Sequence, residues 1–323
     1  MGNLTRDLRL CPRTSGGESV EVTRRTAMSA TTSPRKDRTH RVTPAPPHEA
    51  FPHSFVVLTL GLAALLTLNT VLGPLGFGLI DYDLSTSLDN QLAGLELVTV
   101  GLVVPGLVLG AVLTVRGRPA APLIVVAPAA YAAYMFVQYV LGPEYAHYSV
   151  TALFHLVITG AAGVLGVWAC GLSGRTAPVT GATRRSDRLR ALLLVGYAGF
   201  VLLRYAGSVV GAFENAPIGA EFEDARTFFW SIYLLDLGVV VPATLAAALG
   251  SWRGTDAGRR GVAAVVGWFA LVPPSVAAMA LVMLARDDPN ASVGTVVLLT
   301  AASVVFAAVA VRVLAPLVRA RPR

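Results

Sequence analysis

Hydrophobic positions along the chain fall into long blocks rather than into short alternating strips. Eight apolar runs stand at about 54–78, 91–115, 120–141, 149–172, 191–213, 228–250, 261–284 and 290–315. Each is close to the ~20 residues that a helix needs to cross a hydrocarbon core. None alternates with period two, so the runs predict helices and not the strands of a barrel. The last helix carries a start signal, with Asp288 as N-cap and Pro289 at the first helical position. The expected fold class is therefore an all-α membrane protein with eight transmembrane helices.

The polar punctuation assigns an orientation. Residues 1–53 hold nine Arg and Lys side chains and the segment Thr43-Pro44-Ala45-Pro46-Pro47, which predicts a disordered basic tail. Met28 offers an internal start within it. The loops after the even-numbered runs are basic: Arg116 and Arg118, then Arg175, Arg184, Arg185, Arg188 and Arg190, then Arg253, Arg259 and Arg260. The loops after the odd-numbered runs are acidic, with Asp81, Asp83, Asp89, Glu144, Glu214, Glu221, Glu223, Asp224, Asp287 and Asp288, opposed only by Arg226 and Arg286. By the excess of Arg and Lys in cytoplasmic loops, both termini are expected in the cytoplasm. The loop around Arg184-Arg185 is expected to meet anionic lipid head groups.

Two stretches repeat. Gly101-Leu102-Val103-Val104-Pro105 leads to Arg116-Gly117, and Gly238-Val239-Val240-Val241-Pro242 leads to Arg253-Gly254, all at an offset of 137 residues. Ser149-Val150 and Ser292-Val293 open the fourth and eighth runs. The expected organisation is two tandem four-helix repeats, 54–173 and 191–315, with a basic linker 174–190 and a basic C-terminus 316–323. Each repeat has an even number of spans, so the two are parallel and not inverted. Pro105 and Pro242 are expected to kink their helices, and Pro273-Pro274 to disrupt the seventh.

Composition narrows the function without naming it. Hydrophobic residues make up 54% and charged residues 14%, with a mean hydropathy of +0.63, which leaves too little polar surface for a soluble globule. The net charge of +7 resides in the tail and short loops, a topology signal that gives no reason to expect nucleic acid. Cys11 and Cys170 have no metal-ligand spacing, no phosphate-binding Gly loop occurs, and no cofactor is expected.

Ionisable side chains inside the runs are costly and count as candidate functional residues. They are Glu96, His155, Arg204 and Asp236. At about 1.5 Å per residue from the basic ends, all four fall in the outer half of the bilayer. Asn69, Tyr134, Gln138 and Tyr233 join them at similar height. This pattern predicts an outward-facing polar pocket. Arg204 and Asp236 are read either as a ligand or proton site or as an ion pair that fixes helix packing.

The stretches Leu235-Asp236-Leu237-Gly238-Val239-Val240-Val241-Pro242, Ser275-Val276-Ala277-Ala278-Met279 and Asp287-Asp288-Pro289-Asn290-Ala291-Ser292 resemble a family of actinobacterial multi-pass membrane proteins of no established activity. The resemblance implies a bacterial plasma-membrane location and no mechanism. Three functions fit the residues: a small-solute transporter or ligand-binding protein, a structural, accessory or sensory membrane subunit, and a membrane enzyme acting on a lipid-linked substrate. The sequence gives no oligomeric state, because lipid-facing and partner-facing apolar surfaces look alike.

Overall fold

The computed structural model describes residues 51–319 apart from 83, 176–182, 220, 221 and 224. The tail up to residue 50, the centre of the linker and the last four residues lie outside the described residues. Among the described residues, eight helices are long and apolar enough to cross a membrane: α1 (His53–Leu72), α2 (Thr86–Val115), α3 (Ala121–Leu141), α4 (Val150–Arg175), α5 (Arg184–Glu214), α6 (Arg226–Trp252), α7 (Asp256–Ala285) and α8 (Val293–Arg319). The described residues contain no strand.

Local chemistry explains the boundaries. The hydroxyls of Ser85, Thr183 and Thr255 accept from the amides of Leu88, Ser186 and Gly258 and so cap α2, α5 and α7. The Thr183 cap starts α5 at Arg184, so four arginines of the expected linker stand on its first two turns. α1 ends at Leu72, because Gly73-Pro74 cannot continue it, and residues 73–82 form a loop. α5 is interrupted at Tyr205 and α7 at Ala270 and Leu271. Pro273 and Pro274 follow that break in the first turn of the restarted helix, where a missing N–H costs nothing.

Asp288 is not the cap of α8. That helix begins at Val293, and Asp288 lies in the preceding turn. Its carboxylate accepts from Ser87 Oγ (3.2 Å), Asn90 Nδ2 (2.9 Å) and the Asn290 amide (2.9 Å), while Arg286 donates to Asn90 Oδ1 (3.0 Å). This clamp ties the start of α2 to the α7–α8 turn. Burial raises the Asp288 carboxyl, but the three hydrogen bonds outweigh it and hold the group below the usual 3.8. A depressed carboxyl stabilises the fold above its unfolded value and loses that contribution as pH falls through the folded value. Thermal unfolding from about pH 5 to about pH 3 is therefore expected to fall more steeply in wild type than in Asp288→Asn; equal slopes would contradict the clamp.

The Gly-to-Pro stretches contain the same irregularity. Thr99–Val103 in α2 and Asp236–Val240 in α6 are single π-helical turns, with the Val104 amide bonding to the Thr99 carbonyl and the Val241 amide to the Asp236 carbonyl. Proline lacks the N–H for a normal turn, and its ring crowds the carbonyl four residues back. Gly101 and Gly238 occupy those positions, and the wide turn relieves the crowding. α2 and α6 also end alike. Gly117 and Gly254 have φ of 63° and 74°, a left-handed conformation that glycine adopts without strain. The amides of Arg118 and Thr255 reach back to the carbonyls of Leu113 and Gly250.

Helix packing follows a matching scheme in the two halves. α2 packs on α1 and α3, and α3 on α4; α6 packs on α5 and α7, and α7 on α8. Phe55 on α1 meets Trp168 on α4, and Tyr197 on α5 meets Phe306 on α8. The halves join where α2 packs on α7, α6 on α3, and α3 on α7. At the closest of these contacts, Gly94 lets the α2 backbone lie against Met279 of α7.

Candidate functional site

The eight sequence candidates do not form one cluster. They divide into two groups on different helices. In the first, α1, α2 and α4 supply Asn69, Glu96 and His155, all at most 2% exposed. Asn69 Nδ2 donates to Glu96 Oε1 (3.3 Å), and His155 Nε2 lies 3.0 Å from Asn69 Oδ1. The Leu75 amide, from the loop after α1, donates to Glu96 Oε2 (2.9 Å). That loop can approach because residue 73 is glycine: a Cβ there would lie 2.0 Å from Glu96 Oε1. The same loop inserts Tyr82 beside His155. The imidazole is surrounded by the rings of Tyr82, Phe136, Tyr139 and Phe154, with centroids 5.4–5.7 Å away. Its Nδ1 has no hydrogen-bond partner among the described residues.

The second group centres on Asp236, the first residue of the π turn in α6. Tyr134 of α3 donates to Oδ1 (2.7 Å), and Tyr205 of α5 donates to Oδ2. Arg204 stands farther off, 3.7 Å from Oδ2, and its side chain is half exposed. Its guanidinium also lies 5.5 Å above the Tyr205 ring. A buried carboxylate needs hydrogen bonds as well as a countercharge, and here the two phenols supply the short contacts. Tyr233 packs its ring on Tyr205 at 4.5 Å, and Gln138 is buried one turn from Tyr134.

Tyr205 was not among the sequence candidates, although it directly follows Arg204. Asp187 was also missed. It is 1% exposed and accepts from Arg259 through Nε (3.3 Å) and Nη2 (2.9 Å), while Ser251 Oγ donates to its carbonyl (2.9 Å). It joins α5, α6 and α7 at the basic end of the bundle. The available signal was a lone carboxylate among Arg184, Arg185, Arg188 and Arg190.

Two hollows, one along α8 and one where α2, α3 and α7 meet, have none of Glu96, His155, Arg204 or Asp236 among their lining residues. The outward-facing pocket expected from the sequence is not one of them. Among the described residues, no group of three or more His, Cys, Asp or Glu side chains could hold a metal ion. No protein-family model, curated protein or solved structure matches the chain.

Proposed function

We propose that the chain is a bacterial plasma-membrane protein of two parallel four-helix repeats, with both termini cytoplasmic, that serves as an accessory or sensory subunit without a transported substrate. The observation that carries this reading is that both intramembrane carboxylates are engaged by neighbouring groups of the chain. Glu96 is held by Asn69 and the Leu75 amide, and Asp236 by Tyr134, Tyr205 and Arg204. The repeat is supported by the π turns, the glycine helix ends and the packing scheme, each matched at the 137-residue offset or by exchanging a helix with the fourth one after it. The alternation of acidic and basic loops supports the orientation, and the basic loops face anionic lipid head groups in this reading.

Native mass spectrometry on protein purified in mild detergent tests the proposal. Wild type is expected to carry lipid only, and Asp236→Asn to differ only in stability. A non-lipid molecule retained by wild type and lost from Asp236→Asn would overturn it. The second reading, a small-solute carrier, is favoured by one observation: no cation stands within ion-pair distance of Glu96 among the described residues, which is unusual for a buried intramembrane carboxylate.

A further inference from the structure

Two apolar hollows adjoin on α8. One, of about 320 Å³, runs along the face bearing Val311, Leu314 and Val318 and ends at Arg319. The other, of about 160 Å³, opens between the two halves and is walled by Gly106 of α2, Pro128 of α3 and Gly267 of α7, with Leu314 common to both. Its origin is legible in the residues. The missing side chain of Gly106 leaves space beside Pro128, where a Cβ would make only ordinary contact, while Gly267 lies close against Ala127 and forms the floor, and the break in α7 at Ala270 and Leu271 borders the hollow. Leu123 near the start of α3 and Leu314 near the end of α8 put the hollow towards the basic end of the bundle.

We propose that this groove is a binding site for one anionic glycerophospholipid. An acyl chain fills the hollow between the halves, and the phosphate meets Arg319. The walls are almost wholly apolar and belong to membrane-spanning helices, so a hydrocarbon chain is the occupant they suit. Among the described lining residues Arg319 alone is charged; it stands at the end where head groups lie, and its planar guanidinium matches a phosphate in a bidentate contact. The site is independent of whether the protein is an accessory subunit or a carrier.

The test uses the full chain in nanodiscs of equal phosphatidylglycerol and phosphatidylcholine, released into a native mass spectrometer. Wild type is expected to retain one phosphatidylglycerol per chain. Gly106→Leu fills the hollow at a position where a Cβ makes only ordinary contact with Pro128, at 3.7–3.8 Å, and is expected to lose that lipid. Arg319→Gln, on an exposed residue with no fold to disturb, is expected to lower the preference for phosphatidylglycerol roughly fivefold, the factor one basic residue contributes near an anionic head group. Equal retention of both lipids by wild type, unchanged preference in Arg319→Gln, or a dimer of the chain that excludes lipid would each overturn the proposal.

Discussion

Removing the Asp236 carboxylate is expected to destabilise the protein by about 2–4 kcal/mol, since hydrogen bonds to a charged group contribute about 1.5–3 kcal/mol each. Asp236→Ala leaves the hydroxyls of Tyr134 on α3 and Tyr205 on α5 without their acceptor on α6. Arg204→Gln is expected to cost much less, under about 1 kcal/mol, because the pair is loose and the arginine half exposed. Tyr205→Phe should fall between them. Thermal unfolding in one detergent measures all three variants. If Arg204→Gln proved the most damaging, the cluster would be an ion pair in the ordinary sense, and the assignment of its stability to the tyrosines would fail.

Gly94→Ala is expected to cost about 3 kcal/mol, the upper end of what overpacking a close contact usually costs. A Cβ at residue 94 would sit 2.5 Å from both the Cα and the amide nitrogen of Met279. Backbone atoms cannot rotate aside as a side chain does, so α2 and α7 would have to separate. That contact is one of the places where the two halves meet. Gly101→Ala is the control: a Cβ there has nothing within 4 Å, and the change should have almost no effect by packing. A similar loss in both variants would contradict the assignment to the interhelical approach, because helix entropy favours alanine over glycine at both positions.

The number of spans and their approximate positions were legible because burying an unpaired backbone in lipid leaves so few alternatives. The ends of α2 and α6 were legible in Arg-Gly, since glycine at the left-handed position is a local requirement. The candidate residues were legible as types and heights, but not as groups. Height along a helix follows from residue count; the direction a residue faces around the bundle depends on packing. Glu96 and Asp236 therefore looked like members of one pocket, and they belong to clusters on different helices. The loop of residues 73–82 was hidden for another reason. Its contribution to Glu96 is a backbone amide, which has no side-chain signature, and it depends on the missing Cβ of Gly73. Tyr205 was masked by the aromatic residues expected near any membrane interface. Asp288 looked like a cap because Asp-Pro often begins a helix; its partners Ser87 and Asn90 come from about 200 residues away in the chain, as sequence separations of 201 and 198 record.

In the proposed reading, the two intramembrane carboxylates are enclosed by their own partners and line no water-filled pocket. Cysteine accessibility measures this directly. In a Cys11→Ser, Cys170→Ser background, Gln138→Cys tests a buried position one turn from Tyr134, and Tyr148→Cys tests a fully exposed loop position. Intact cells are treated with a membrane-impermeant maleimide. The account predicts rapid labelling at residue 148 and none at residue 138. Comparable labelling at both would mean that water reaches the Asp236 cluster from outside, and it would return the protein to the class of solute carriers.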